Sequence, residues 1–122
     1  MKLTWKCKSD FEKWLEKTHQ VLITDECLNH LFFDELTDSM QYGVYVDFFD
    51  SVGIFCEDRR YTDVNMAWVV KYPNFDGIQD RFDGLTKTRQ EARTKAIEKA
   101  NEIYNKLWHQ KKLFSLMKKI LK

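Results

Sequence analysis

The sequence predicts an α+β domain over residues 1–122, in which a short N-terminal helix and a long C-terminal helix pack on one face of a three-stranded antiparallel meander. Two capped amphipathic segments near the ends predict the helices, and alternating apolar runs between them predict the strands. The order is αβββα-like, with a fourth strand as an alternative. Because 43% of the 122 residues are hydrophobic, the chain is able to bury a sizeable core.

The first helix is predicted to open at a capping box, Ser9-Asp10-Phe11-Glu12, and to run through about Thr18. Phe11, Trp14 and Leu15 recur at helical spacing, so they form its apolar stripe.

A weaker helical period follows over residues 25–36, where the apolar residues fit one helical face better than a strand. These residues are Leu28, Leu31, Phe32 and Leu36. Two interpretations stay open for residues 25–41. Either they fold over the second face of the sheet, or they leave that face free for a partner.

Three alternating runs predict the meander, and a fourth run is the alternative edge strand. In chain order they are Tyr42–Phe49, Val52–Glu57, Met66–Tyr72 and Ile78–Phe82. One face of such a sheet is apolar enough for the helices to cover. The opposite face mixes aromatic and charged residues, and we predict a partner surface there. Its residues are Tyr45, Asp47, Phe49, Phe55 and Glu57.

The last helix is predicted to begin at a second capping box, Thr88-Arg89-Gln90-Glu91, and to continue to about Trp108 or beyond. Its buried stripe combines small and apolar residues at helical spacing. They are Ala92, Ala96, Ala100, Ile103 and Leu107. Because alanine is small, this stripe lets the helix lie close on a sheet.

Residues 109–122 are predicted to extend this helix as a basic amphipathic segment. The period is interrupted at His109-Gln110-Lys111-Lys112 and resumes in apolar residues interleaved with lysines. The predicted oligomer or partner residues are Leu113, Phe114, Met117, Ile120 and Leu121. We expect the segment to pack on its own domain or to pair with a second copy as a homodimer. Membrane binding ranks behind both, because one short helix without a second anchor holds a bilayer only weakly.

The net charge of +1 conceals a separation of sign. Residues 25–83 carry thirteen acidic residues against four basic ones, whereas residues 84–122 carry eleven basic residues against three acidic ones. Such a separation bears on partners and self-association. Three scattered cysteines, the lack of a signal-peptide pattern and the lack of a long apolar run favour a cytoplasmic setting.

No constellation in the sequence predicts catalysis. The acids Asp34, Glu35, Asp38, Asp47 and Asp50 lack a spacing typical of a magnesium site. Cys27 and His30 lie three residues apart, without the further ligands of a zinc site or the partners of a nucleophile. We therefore expect no enzyme activity, no cofactor and no bound metal.

Four basic residues gather at the start of the last helix, where the helix dipole favours phosphate. They are Lys87, Arg89, Arg93 and Lys95. After an α-β-β-β order, the stretch Gly84–Ala96 resembles the last-helix entry of double-stranded-RNA-binding domains. This resemblance implies phosphate contacts at Arg89 and Arg93, with Lys87 flanking them.

A broader resemblance is carried by the Trp-Leu helix Phe11–Lys17, the Tyr-rich meander and the final Thr-x-x-Glu-Ala helix. Together they look like small uncharacterised proteins of phages and prophages, which implies an accessory protein in the host cytoplasm. Our first functional hypothesis is therefore a non-enzymatic binding or inhibitory protein that acts through the acidic aromatic sheet face and the basic helix. Its partner would be a host protein or a second copy. The second hypothesis is a nucleic-acid-binding protein, and the third is a metal-dependent hydrolase.

Overall fold

The computed structural model describes residues 1–18, 32–73 and 79–121. In chain order the elements are α1 (Trp5–Thr18), a short 3-10 helix (Phe32–Glu35), α2 (Asp38–Ser51), β1 (Phe55–Arg60), β2 (Met66–Pro73), β3 (Gln79–Thr86) and α3 (Arg89–Leu121). The strands form one antiparallel sheet in the order β1-β2-β3. The predicted α+β class and the three-stranded meander are therefore confirmed.

The predicted strand Tyr42–Phe49 is wrong, because these residues belong to α2. Tyr42, Tyr45, Phe48 and Phe49 are its buried residues, and they recur at helical spacing. The same stretch also alternates in polarity, so both periods fit it. Its aromatic and β-branched residues favoured the strand, but burial among other aromatic rings decides for the helix.

Both ends of α2 carry helix signals. Thr37 precedes the first turn, and its Oγ1 accepts a hydrogen bond from the Met40 amide at 3.3 Å. Beyond the last turn, Gly53 has a φ of +85°, a left-handed conformation that favours glycine and ends the helix.

Because Tyr42–Phe49 is helical, the sheet begins later in the chain than predicted. β1 begins at Phe55 rather than Val52 and continues to Arg60, and β2 matches the predicted third strand. The alternative edge strand is real: β3 includes residues 79–82 and continues to Thr86.

Residues 25–31 lie outside the described residues, so the predicted helix over 25–36 is tested only at its end, which forms the 3-10 helix. There Phe33 is buried against the rings of Phe11 and Tyr45, with centroids 5.2 and 5.0 Å away. The following helix, α2, packs against α3 and β1. The described part of residues 25–41 therefore packs on the helical side of the sheet.

Helix α3 is the central element, because it contacts all three strands and also α1 and α2. Thr88 Oγ1 accepts a hydrogen bond from the Glu91 amide at 3.1 Å, which confirms the predicted cap. Ala92, Ala96 and Ala100 are fully buried. Their small side chains let α3 approach the sheet closely, as the sequence predicts.

The start of α1 is capped by α3, so the helix begins one turn earlier than predicted. The Oδ1 atom of Asn105 accepts a hydrogen bond from the Cys7 amide at 2.8 Å, and its Nδ2 donates to the Thr4 carbonyl at 3.1 Å. One turn away, Asn101 Oδ1 accepts from the Thr4 amide at 2.9 Å. The side chains of Asn101 and Asn105 therefore satisfy backbone groups at the start of α1 that the side chains of a local capping box would otherwise satisfy.

Candidate nucleic-acid interface

The predicted acidic aromatic surface does not form. Tyr45 and Phe49 are 5% and 0% exposed, because they lie on the core side of α2. Asp47 is exposed on α2, whereas Phe55 and Glu57 are exposed on β1. The prediction is wrong for Tyr45 and Phe49, since a strand would have turned them away from the core.

The sheet face opposite α3 carries a neutralised mixture of charges. Glu57 on β1 and Asp83 on β3 both pair with the central Val69 of β2, which is buried. Each acid also has a basic neighbour on its own strand. Glu57 lies 3.6 Å from Arg59, and Asp83 lies 3.1 Å from Arg81. This face is therefore not an acidic surface.

Asp58 of β1 forms ion pairs with two arginines at the start of α3. Its Oδ2 lies 3.6 Å from Arg89 Nε and 3.5 Å from Arg93 Nε. The Nη1 of Arg93 also donates to Ser39 Oγ at 3.0 Å, and its guanidinium lies 4.9 Å from the centre of the Tyr42 ring. Arg93 is therefore held in a half-buried network, whereas the side chain of Arg89 is 58% exposed.

Tyr42 completes this network. Burial raises the pKa of its hydroxyl well above the usual value, and the nearby Asp58 carboxylate, which accepts its hydrogen bond, raises the pKa further. The hydroxyl therefore stays protonated at neutral pH and remains a donor to Asp58. The same carboxylate lies within 3.6 Å of the Nε atoms of both arginines.

A cleft of about 460 Å³ lies between the start of α3 and the turn that joins β1 to β2. Arg60, Lys87 and Arg89 line it, and we call these three residues the basic cleft. Asp63 is the acid among the lining residues. The other lining residues are Thr62, Val64, Asn65 and Met66.

Hydrogen bonds fix the turn that forms one wall of the basic cleft. The amides of Tyr61 and Thr62 donate to the Asn65 carbonyl at 3.0 and 3.2 Å. Thr62 Oγ1 in turn accepts from the amides of Val64 and Asn65 at 3.3 and 3.1 Å. This wall is therefore preorganised.

The structure separates the four predicted phosphate contacts. Lys87 and Arg89 line the basic cleft. Arg93 does not, because its guanidinium is enclosed by the Asp58 network. Lys95 is exposed farther along α3, where it lies 3.9 Å from Glu98.

Sequence reasoning missed Arg60, because the error at α2 left it in a predicted loop instead of at the end of β1. Strand pairing supplies the missing signal. Arg60 pairs with Met66, and Met66 pairs with Thr86, so one row across the sheet leads from Arg60 to the residue before Lys87. A correct strand register would have found it.

The two described thiols are poor nucleophiles. Burial is the main cause that raises the pKa of Cys7 and of Cys56 to about 12, so both stay protonated at neutral pH. Cys27 and His30 lie outside the described residues. Among residues 1–18, 32–73 and 79–121, no group of three or more His, Cys, Asp or Glu side chains is arranged to hold a metal ion.

Comparison of the chain with family models, with curated proteins and with solved structures finds no match. Within the described ranges, no helix combines the length and the apolar character that a bilayer crossing requires. The basic cleft is therefore interpreted from its own geometry and charge.

Proposed function

We propose that this protein is a non-catalytic nucleic-acid-binding protein that contacts phosphates through the basic cleft. The observation that supports it is the meeting of Arg60 from β1 with Lys87 and Arg89 from α3 around one cleft. Among the lining residues, these three positive charges face one acid, Asp63. Arginine and lysine are the side chains that bind phosphate oxygens most readily.

The position of the basic cleft at the start of α3 adds to its positive potential. The backbone dipoles of a helix sum to a partial positive charge at its N-terminus. Lys87 precedes the first turn of α3, and Arg89 begins it. A phosphate in the basic cleft would thus meet side-chain charges and the helix dipole together.

Asp58 gives Arg89 and Arg93 different parts in this proposal. Because the Asp58 carboxylate lies beside both guanidinium groups, the three side chains together have a net charge of +1. Arg93 acts as a positioning residue that helps to fix Asp58, and Arg89 keeps an exposed side chain for the ligand. Fixing Arg89 in advance lowers the entropy lost on binding.

The resemblance to double-stranded-RNA-binding domains makes duplex RNA the first ligand to test. It is consistent with a three-stranded meander that leads into a helix, with Lys87 and Arg89 at the entry. Duplex DNA and single strands of the same sequence distinguish shape-dependent binding from general attraction to phosphate.

The test measures the fluorescence anisotropy of these labelled nucleic acids across a series of salt concentrations. We expect the affinity to fall steeply as salt rises. The triple variant Arg60→Ala/Lys87→Ala/Arg89→Ala should bind more than about tenfold more weakly at low salt. It should also reduce the slope of log affinity against log salt by roughly 2–3, because each lost phosphate contact removes about one unit.

A matched control removes three exposed lysines of α1, as Lys8→Ala/Lys13→Ala/Lys17→Ala. It changes the net charge equally but leaves the basic cleft intact, so its affinity should stay within about threefold of the parent protein. Equal losses in both variants would mean that net charge, not the basic cleft, drives binding. No binding at low salt would remove the proposal.

A protein partner is the second candidate function, and it carries forward the hypothesis of a phage-related binding or inhibitory protein. Phe55 and Leu85 favour it, because they are 49% and 54% exposed on the sheet face opposite α3. Single exposed apolar residues are common on protein surfaces, however, and charged pairs lie between these two. We therefore rank this function behind nucleic-acid binding.

A further inference from the structure

Trp5 combines two features that are uncommon for a tryptophan in a folded domain. The residue is 85% exposed, and its φ of +52° lies in the left-handed region. Among the described residues, it is the one non-glycine residue with a positive φ. A bulky residue in this conformation is strained, and such strain persists only where the surrounding structure holds it.

Hydrogen bonds from α3 hold the chain on both sides of Trp5. Before it, the Thr4 amide donates to Asn101 Oδ1 at 2.9 Å, and the Thr4 carbonyl accepts from Asn105 Nδ2 at 3.1 Å. After it, the Cys7 amide donates to Asn105 Oδ1 at 2.8 Å, and the side chain of Cys7 is fully buried. Trp5 is therefore fixed relative to α3, although its own side chain is exposed.

Packing of the Trp5 side chain does not offset this strain. Leu3 and Cys7, from the same segment, are buried in the hydrophobic core, whereas Trp5 lies outside it. A glycine at this position would adopt the same backbone conformation without strain. Because strained residues that their surroundings hold in place cluster at functional sites, the exposed indole indicates a contact with a ligand.

The surroundings of Trp5 are aromatic and basic. The Nζ of Lys6, the next residue in the chain, lies 5.6 Å from the centre of the Trp108 ring on α3. The Nζ of Lys112 lies 5.2 Å from the centre of the same ring, and Trp108 is 37% exposed. Residues 103–112 of α3 carry three lysines and no acid. The start of α1 thus adds an exposed indole to a basic stretch of α3 that carries another.

Ion pairs reduce the negative charge of the acids near these residues. Asp10 of α1 lies 2.8 Å from Lys6 Nζ and also accepts a hydrogen bond from the Tyr104 hydroxyl at 2.5 Å. Glu102 of α3 lies 3.4 Å from Lys99 Nζ. Asp10 and Glu102 therefore repel a phosphate group less than unpaired acids would.

We propose that Trp5 stacks on an unpaired base of a nucleic acid. The inference rests on the proposed function and adds to the basic cleft a second contact, about 18 Å away along α3, since this is the length of the helix from Arg89 to Asn101. An exposed aromatic ring can stack on any base, and basic residues nearby attract the phosphates that join the bases. Trp5 supplies the ring, and the basic stretch of α3 supplies the charge.

The polarity around Trp5 favours a nucleic acid over a lipid surface. A helix that lies on a bilayer needs a broad apolar side. Among residues 1–9, Trp5 is the one apolar residue that is exposed, and the other exposed residues are polar or charged. They are Lys2, Thr4, Lys8 and Ser9. A single ring among polar residues matches a base better than it matches acyl chains.

The test compares a labelled single-stranded RNA with a blunt duplex RNA, each bound to the full chain at low salt and followed by fluorescence anisotropy. Trp5→Leu should weaken binding of the single strand about tenfold or more, because the loss of one stacked base has an effect of this size. Binding of the blunt duplex should stay within about threefold, because its bases are paired and stacked on one another.

Two further variants separate the loss of a ligand contact from the loss of the fold. Trp5→Phe keeps an aromatic ring, so the affinity for the single strand should stay within about threefold of that of the parent protein. Trp5→Gly fits the left-handed backbone, so the midpoint of urea unfolding should not fall. Its affinity for the single strand should nevertheless fall as far as that of Trp5→Leu.

Equal affinity of the parent protein and Trp5→Leu for the single strand would overturn the proposal. Binding of the duplex through the basic cleft would then still support the proposed function. A lower unfolding midpoint in Trp5→Gly would also overturn the proposal, because the indole would then stabilise the fold. Sedimentation with phosphatidylglycerol vesicles that depends on Trp5, found together with no single-strand binding, would assign the indole to a lipid surface instead.

Discussion

The two halves of α3 have the same backbone conformation but a different distribution of apolar and charged residues. In the half that begins at Arg89, alanines lie against the sheet, and an exposed lysine has an acid one turn away, as in the pair of Lys95 and Glu98 at 3.9 Å. In the half that ends at Leu121, helical spacing places apolar residues on both sides, Phe114 and Leu121 on the one and Leu113 and Ile120 on the other, and no acid accompanies the lysines. A continuous helix therefore does not imply a continuous interface. The side on which the apolar residues lie decides what each half can contact.

The first half should tolerate enlargement of its buried side poorly. Ala100 of α3 is fully buried among the residues of the hydrophobic core. Ala100→Leu should reduce the free energy of unfolding by about 1–3 kcal/mol, because the added atoms have no space without displacing a neighbour. Urea denaturation followed by circular dichroism measures the change.

The control for this substitution is Glu102→Leu, which introduces the same side chain at an exposed position in the same half of α3. Its effect on the free energy of unfolding should stay within about 0.5 kcal/mol. If Ala100→Leu and Glu102→Leu changed the free energy of unfolding equally, the role of the alanines in letting α3 approach the sheet closely would be contradicted.

The middle of α3 should show a smaller effect, through the cap that it provides to α1. Asn105→Ala removes the acceptor for the Cys7 amide and the donor to the Thr4 carbonyl. We expect a loss of about 1 kcal/mol in the free energy of unfolding, as for other helix caps. Lys106→Ala, at the exposed next position, should change it by less than about 0.5 kcal/mol. Hydrogen exchange should locate the loss of Asn105→Ala in the first turn of α1; protection unchanged there would contradict the assignment of the cap.

How far the sequence predicts the fold is best judged at α2 and α3. The capping box at Thr88 and the alanine stripe predict α3 correctly, because cap, period and residue size all agree there. The stretch Tyr42–Phe49 fits two periods, and its aromatic residues favour a strand when considered alone. Its helical state depends on tertiary burial, in particular against Phe11, which lies far away in sequence and whose ring is 5.0 Å from that of Tyr45. Local patterns do not carry that information.

The candidate site was predictable only where it depends on local signals. Lys87 and Arg89, which line the basic cleft, are predicted from the sequence because they flank a recognisable helix start. Arg60 was missed because its position depends on the register of β1 against β2. Arg93 was assigned to phosphate because nothing local reveals that Asp58, thirty-five residues earlier, lies beside its guanidinium. Pairings between distant elements therefore account for the difference between the predicted residues and those that line the basic cleft.

The smallest effect on stability should come from removing the second half of α3. Truncation after Lys112 keeps the alanine stripe. It deletes Leu113 and Ile120, which by spacing continue the exposed side of the helix, and also Phe114 and Leu121, which continue its buried side. The free energy of unfolding should therefore change by less than about 0.5 kcal/mol, because no buried contact of the alanine stripe is lost. Urea denaturation of the truncated and full-length proteins, at matched concentration, measures the difference. A loss above about 1 kcal/mol would mean that the deleted residues pack on their own domain, and the contrast between the two halves would then be one of sequence alone.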